Sequence, residues 1–255
     1  MELACDVSVA TGYKSAAQIA RVISEAWLSR NGYCLACEEE SLTHTAANTK
    51  STDFVCPKCG QNYELKTFRK RPLRSLVDGA YASLIARVMD GSTPTLFLLE
   101  RNNLWGVESL TAIHPVFITP SVIEERKPLS ATAVRAGWVG CNIRLDRIGQ
   151  DGEIQIVEEG KAKPMSDVRQ QFRRFAPLST IALKERGWIT LTLSVARSLL
   201  KKRFSLSDLY ARERVFEVVY PQNRNVRAKI RQQLQVLRDL GVIQFEGRGL
   251  YSFIS

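Results

Sequence analysis

The feature that most restricts this chain is a pair of matched cysteine turns, Cys34-x-x-Cys37 and Cys56-x-x-Cys59, with eighteen residues between them. Two residues between ligands let one tight turn aim both sulfurs at one ion, and this separation lies within the spacing of four-thiolate structural zinc sites. Gly60 follows the second turn and relieves crowding there. A redox pair or buried free thiols would not require two turns of the same form. Four thiolates complete a tetrahedral shell, so the expected zinc is structural, one ion per chain, with no open position for chemistry. His44 lies inside the loop and is surplus to that ligand set. Cys5 and Cys141 read as small core residues.

Three polar residues flank the second turn: Asp53 before it, Glu64 and Lys66 after it. In a strand, residues two apart share a face, so Glu64 and Lys66 stand side by side with Leu65 turned to the core. If the stretch "STDFV" runs antiparallel to "YELK", Asp53 joins them and the zinc turn sits at the tip of the hairpin. A two-stranded hairpin is marginal in water alone, and a metal at its tip fixes its geometry. Two close carboxylates and a lysine suit phosphodiester hydrolysis. Asp53 and Glu64 would bind magnesium, a hard ion that takes oxygen ligands, and such an ion acidifies a water and neutralises developing phosphate charge. Lys66 would orient that water. The same three residues also fit an ordinary salt-bridged surface strand.

A length of 255 residues suggests one large or two smaller domains. No apolar run approaches the roughly 18 residues that span a bilayer, and the N-terminus lacks the basic start and apolar block of a secretory signal. A soluble intracellular protein is expected. The formal net charge of +10 is unevenly spread: from Ile181 onward there are 14 Lys and Arg against 6 Asp and Glu. A basic terminal region points to a polyanion, most often nucleic acid, or else to a solvated basic surface.

Periodicity predicts a helix over residues 15–32, with Ser15 and Gln18 as a capping box and Ile19, Val22, Ile23, Ala26 and Trp27 as its apolar stripe. Strands are predicted at "NYELKTF", "TLFLLE" and "WGVESL", the last two joined at "RNN". A second helix is predicted over 78–90, a short strand over 114–120, an irregular basic stretch over 126–143, a hairpin arm at "GEIQIVEEGK" and a helix at "SDVRQQFRRFAPL". Beyond Thr180 three helices are expected, near 190–202, 205–218 and 224–240. Two strands then meet around Gly247-Arg248-Gly249. Three helices and a closing hairpin with a basic turn form a winged-helix pattern.

The last helix has a buried stripe of Val226, Ile230, Leu234, Leu237 and Leu240. Arg224, Arg227, Arg231 and Arg238 lie off that stripe, flanked by Gln232 and Gln235. A recognition helix puts its N-terminal residues in the major groove, where Arg suits guanine and Gln suits adenine. A helix used only for packing is the alternative. Arg248, at the hairpin turn, reads as a phosphate or minor-groove contact. Trp138, in "RAGWVGC", reads either as a face offered to bases or as a core residue; Trp27, Trp105 and Trp188 read as core.

Asp53, ten intervening residues and then Glu64-Leu65-Lys66 resemble the PD-(D/E)XK nuclease signature, with Thr52 where the general signature has proline. Together with the cysteine turns, "DGAYA", "RKPL", "RAGW", "GCNI", "KIRQQLQ" and "GRG", the whole chain, residues 1–255, resembles the DpnI-like methyl-directed restriction endonucleases. The resemblance implies a mixed fold, α+β or α/β. It places a PD-(D/E)XK catalytic domain over 1–180, with a zinc-binding insertion at about 34–59, and a winged-helix domain over 181–255. It implies a type II site-specific deoxyribonuclease that cleaves double-stranded DNA at adenine-methylated G-A-T-C sites and depends on magnesium. Asp53, Glu64 and Lys66 match the family's catalytic positions. Arg126, Trp138, Arg227, Lys229, Arg231, Gln232, Gln235 and Arg248 become the expected DNA contacts. A monomer of the bacterial cytoplasm, serving a restriction system without a membrane partner, is expected. The competing reading is a non-catalytic zinc-ribbon and winged-helix regulator, which has no need of Asp53, Glu64 and Lys66 together.

Overall fold

The computed structural model describes residues 1–45, 52–72 and 74–254. In chain order the first elements are α1 (Ala16–Asn31), β1 (Thr43–His44), β2 (Phe54–Val55) and β3 (Asn62–Phe68). β4 (Ser75–Ala80), α2 (Tyr81–Asp90), β5 (Thr95–Arg101) and β6 (Val107–Ile113) follow. Next come β7 (Ile123–Glu125), β8 (Gly140–Arg144), α3 (Leu145–Ile148), β9 (Glu153–Glu158), β10 (Lys161–Ala162) and α4 (Met165–Arg174). The remainder is α5 (Leu183–Ser198), β11 (Arg203–Ser205), α6 (Leu206–Tyr210), α7 (Glu213–Val219), α8 (Val226–Asp239), β12 (Ile243–Gly247) and β13 (Leu250–Phe253). Among the described residues no helix is long and apolar enough to cross a membrane.

The fold is mixed α/β and divides into two compact units. One comprises Met1–Leu73, Asp90–Pro115 and Glu153–Ala176. Its seven-stranded sheet has the order β1-β2-β3-β5-β6-β9-β10, with β3 and β5 parallel. Alternate residues of the strands make one apolar face: Tyr63 and Leu65, Phe97 and Leu99, Leu110 and Ala112, Ile154 and Ile156. Trp27 and Leu28 of α1 and Val168 and Phe172 of α4 complete that core. The period of two therefore leaves Glu64 and Lys66 on the opposite face.

The other unit comprises Arg74–Met89, Val116–Gly152 and Pro177–Ser255. It holds two three-stranded sheets, β4-β8-β7 and β11-β13-β12. Asp151 and Arg197 join its parts, with Nε–Oδ2 at 2.8 Å and Nη2–Oδ1 at 2.9 Å. The same guanidinium lies 3.7 Å over the Phe253 ring.

Several expected elements differ. The helix predicted over 78–90 begins at Tyr81, because Leu76 and Asp78 are buried while Val77 is exposed, a strand alternation that ends at Ala80. The strand expected over 114–120 is instead two 3₁₀ turns, starting at Pro115 and Pro120; neither proline has an N–H to give a ladder. The irregular stretch gives way to β8 at Gly140. The helix expected at 190–202 spans Leu183–Ser198 and contains Gly187. A Cβ there would lie 2.6 Å from Tyr220 Oη, so the glycine is a notch for Tyr220 and not a helix break. The helix expected at 205–218 is split, with Arg212 at φ −105° and ψ 12° between α6 and α7. The expected capping box at Ser15 is absent, since its side chain makes no cap hydrogen bond.

A capping box does form on α6, where Asp208 Oδ2 accepts from the Ser205 N–H at 2.7 Å and Ser205 Oγ accepts from the Asp208 N–H at 3.1 Å. The Ser205 N–H, followed by Lys201 and the Ser205 hydroxyl, lowers the Asp208 pKa from 3.8 to about 2. A depressed carboxyl pKa stabilises the fold above its unfolded value and stops doing so as pH falls through the folded value. Asp208→Asn is therefore expected to lower the melting temperature at pH 7. The gap from wild type should hold down to about pH 4 and close towards pH 2, as read by thermal melts across that range.

Candidate functional site

The cysteine turns converge in the first unit. The four Sγ atoms of Cys34, Cys37, Cys56 and Cys59 lie within 4.8 Å of one another. Cys34 and Cys59 are 3.5 Å apart, and Cys37 and Cys56 are 3.6 Å apart. Gly60 has a φ of +74° and its N–H donates to the Cys56 carbonyl at 3.0 Å, so the turn itself requires a residue that tolerates the left-handed region. Burial pushes Cys34 up and, aided by the neighbouring sulfurs, pushes Cys59 up to about 12. Burial acts the same way on Cys56, but the N–H groups of Cys59 and Lys58 outweigh it and hold that thiol at about 7. Four soft donors at this separation fit a tetrahedral zinc ion. His44 stands apart, with its ring beside Phe54 and Nε2 3.2 Å from Glu25 Oε2.

Two residues that sequence reasoning missed orient this cluster. Tyr63 donates its hydroxyl to Cys34 Sγ at 3.2 Å and accepts from the Leu35 N–H at 2.9 Å. Its ring stacks on Phe97. Arg169 of α4 donates Nε to the Cys34 carbonyl at 3.0 Å and Nη2 to the Glu39 carbonyl at 2.9 Å, and it pairs with Glu38 at 2.8 Å. Tyr63 reads only as a strand residue and Arg169 only as one cation in a basic helix, so neither carried a signal.

The second cysteine turn links β2 to β3. These strands pair antiparallel, Phe54 with Tyr63 and Val55 with Asn62. The Asp53 N–H donates to the Tyr63 carbonyl at 2.9 Å, and there the ladder ends. The next donor of β3, the Leu65 N–H, is taken by Asp53 Oδ2 at 2.7 Å. Asp53 therefore caps an open strand edge with its side chain. Lys66 Nζ lies 2.6 Å from Glu64 Oε1. Glu64 is 6% exposed, and Lys66 is half-buried. The Glu64–Lys66 pair and the Asp53 carboxylate are thus both anchored on β3, Asp53 through the Leu65 N–H.

The expected DNA contacts lie in the second unit. Trp138 is half-buried and Arg126 is exposed. A Cβ at Gly140 would stand 2.8 Å from the Trp138 ring and 3.5 Å from Arg126 Cδ. The indole and the arginine stem therefore lie together across the bare backbone of Gly140. The Leu129 N–H donates to the Trp138 carbonyl at 2.9 Å, and the Arg126 N–H to the Gly140 carbonyl at 3.0 Å. Val134, between them in sequence, is wholly exposed.

On α8, Val226, Ile230, Leu234 and Leu237 are buried, as is Gln233, which the apolar stripe did not include. Arg227 pairs with Glu213 at 2.8 Å, and Arg231 donates to the Tyr210 hydroxyl at 2.7 Å. Lys229 is half-buried, 2.9 Å from Gln232 Oε1 and 3.7 Å from Glu185 Oε1. Gln232, Gln235 and Arg248 are exposed. Arg248 and Gly249 both have positive φ, 48° and 75°, in the two-residue turn closed by the Gly247–Leu250 pair.

The family model described as DpnI, Dam-replacing family, matches residues 1–181. A second, described as Dam-replacing HTH domain, matches residues 184–252.

The cysteine geometry makes a direct prediction. Protein purified without added zinc is expected to carry about one zinc per chain by elemental analysis. Cys56→Ser should lose that ion and lower the melting temperature of the chain. Zinc-free wild-type protein with an unchanged melt would exclude a metal at these sulfurs.

Proposed function

Because the chain belongs to the Dam-replacing family of DpnI, we propose that it is a methyl-directed type II restriction endonuclease, which hydrolyses double-stranded DNA at G-A-T-C sites whose adenines are methylated. The observation that carries the reading is the seat of Asp53. Its carboxylate is fixed at 2.7 Å on the N–H of Leu65, the residue that separates Glu64 from Lys66 in sequence, and the side chains of those two residues are 2.6 Å apart. In this reading residues 1–180 are a PD-(D/E)XK catalytic domain with its zinc-binding insertion at about 34–59. Residues 181–255 are a winged helix built on α5, α8 and the β12–β13 hairpin.

Asp53 and Glu64 would hold magnesium, and their oxygen donors suit it. When bound, the ion supplies charge neutralisation at the phosphate and an acidified water. Lys66 orients the attacking water and stabilises the negative charge that builds on the phosphate oxygens. Glu64, being buried, keeps the ammonium of Lys66 in place. Zinc at the four cysteines takes no part in the reaction; it pins the hairpin that carries Asp53 and Glu64.

Specificity is read twice in this proposal. The α8 face bearing Arg227, Lys229, Arg231, Gln232 and Gln235 enters the major groove, and Arg248 of the hairpin turn contacts the backbone. The Arg126–Trp138 pair offers a flat apolar face with a cation beside it. Methylation of the adenine amino group leaves one donor hydrogen and adds apolar surface, so discrimination needs a contact that favours the methyl group. An indole supplies one.

Two measurements test this. Asp53→Ala and Lys66→Ala are each expected to reduce cleavage of methylated plasmid by several orders of magnitude, since such groups act as a unit, while binding to methylated duplex survives. More than a tenth of wild-type cleavage in either variant would end the catalytic assignment. Separately, Trp138→Ala and Arg231→Ala in the full chain should each erode the preference for methylated over unmethylated duplex by about 1–3 kcal/mol. Titrations against methylated, hemimethylated and unmethylated duplexes read this out. An equal loss of affinity for all three duplexes would reassign the residue to phosphate contact.

A further inference from the structure

The carboxyl ends of β3 and β5 carry a cluster of positive charge that the proposed chemistry leaves unused. The strands run parallel with Phe68 opposite Glu100; Arg69 and Arg101 follow that pair, close enough for the Arg69 charge to act on Arg101. Like charges across neighbouring strands repel. Arg101 is 7% exposed, yet no carboxylate among the described residues pairs with it. Its Nη1 donates to the Asn102 carbonyl at 3.1 Å, and its guanidinium lies 3.5 Å over the Trp105 ring. Its Nε is buried without a hydrogen-bond partner. Burial, then the Arg69 charge, hold its pKa below the usual arginine value. Cys5 is the opposing influence, but burial pushes that thiol up to about 11, so at neutral pH it bears no charge. Arg69 and Lys70 are exposed and also lack an acidic partner among the described residues.

The surrounding backbone holds this arrangement at a cost. Trp105 has a φ of 63°, a conformation that a bulky residue rarely adopts. Asn102 Oδ1 enforces it by accepting from the N–H groups of Leu104 and Gly106, both at 2.9 Å. The strained turn lays the indole on the guanidinium and fixes the plane of its fork. A buried cation without a counter-charge is unfavourable unless an anion completes it. Backbone strain of this kind also concentrates at functional sites.

We propose that Arg69, Lys70 and Arg101 form a phosphate-binding site, and that its ligand is a backbone phosphate of the DNA duplex flanking the one that is cut. This rests on the nuclease reading above. Arginine's planar fork matches phosphate, and ligands of open sheets gather beyond the carboxyl ends of parallel strands. Arg69 follows Phe68, the last residue of β3, and stands three residues past Lys66, a reach of at most roughly 10 Å of extended chain. That is about three steps of the 3.4 Å axial rise per phosphate, within reach of one bound duplex. The exposed Arg69 and Lys70 meet the phosphate, and Arg101 backs them with a fixed charge.

The test uses the full chain and a methylated duplex in magnesium-free buffer, with affinity measured across a salt series. Each lost phosphate contact lowers the slope of log affinity against log salt by about 0.9. The double variant Arg69→Gln, Lys70→Gln, exposed and safe for folding, is expected to lower the slope by about one to two. Affinity should fall equally for methylated and unmethylated duplex. Arg101→Met should lower the slope as well, and Arg101→Lys should restore part of it. A slope unchanged in the double variant overturns the proposal. A second arm titrates inorganic phosphate against the melting temperature. Stabilisation of wild type but not of the double variant, with no change in the DNA slope, would assign the site to a free anion and also overturn it. Cleavage that survives Asp53→Ala would remove the nuclease reading without moving this slope, so the two failures are distinguishable.

Discussion

Convergence of four sulfurs within 4.8 Å is the constraint on which the first unit depends. β2 is two residues long and pairs with only two residues of β3. A ladder that short does not hold a hairpin in water. The hairpin is held at its tip by Cys56 and Cys59, at its flank by Tyr63, which hydrogen-bonds to Cys34, and from outside by Arg169, which grips the first cysteine loop through two carbonyls. Each tie reaches the sulfur cluster from a different element. A metal at the sulfurs would therefore fix the position of Asp53 indirectly, through the strand that follows the turn.

The same shortness of β2 makes Asp53 available. Had the ladder continued, the Leu65 N–H would bond to a backbone carbonyl and the position before Phe54 would be one more paired residue. Instead β2 departs, and a carboxylate takes the donor that the departure leaves. A side chain fixed by a backbone N–H at 2.7 Å has little rotamer freedom left to lose on engaging a substrate or an ion. That is the preorganisation a catalytic group needs, and it follows from where the ladder stops.

Much of this was legible because strand periodicity and ligand spacing are local. The alternation of "NYELKTF" puts Glu64 and Lys66 on one face and Tyr63 and Leu65 on the other, as found. The C-x-x-C spacing likewise announces convergence. What was not legible is long-range. Arg169 lies about 130 residues from the loop it holds, and nothing in "SDVRQQFRR" marks it among its cationic neighbours. The helix start at Leu183 was missed, and Gly187 within that helix admits Tyr220, the residue that ends α7. The strand at Ser75–Ala80 is disguised by "DGA", which reads as a helix start until Asp78 is seen facing inward. In each case a tertiary contact overrode a local propensity, as packing generally does.

The cations of α8 bear on how a duplex would be read. Arg227 and Arg231 are not idle: one pairs with Glu213 and the other with the Tyr210 hydroxyl. Both are exposed, and exposed ion pairs are worth at most about 1 kcal/mol. Exchanging Glu213 for a base or phosphate thus costs little, but it gains less than a free arginine would. The pairing also holds the side chains in one orientation beforehand, which reduces the entropy lost on docking. Among the described residues Gln235 and Arg248 have no such partner, and they gain the full contact when one forms. Affinity would then come disproportionately from the unengaged groups. The paired arginines would add discrimination, because they leave Glu213 and Tyr210 only for a partner whose geometry is better.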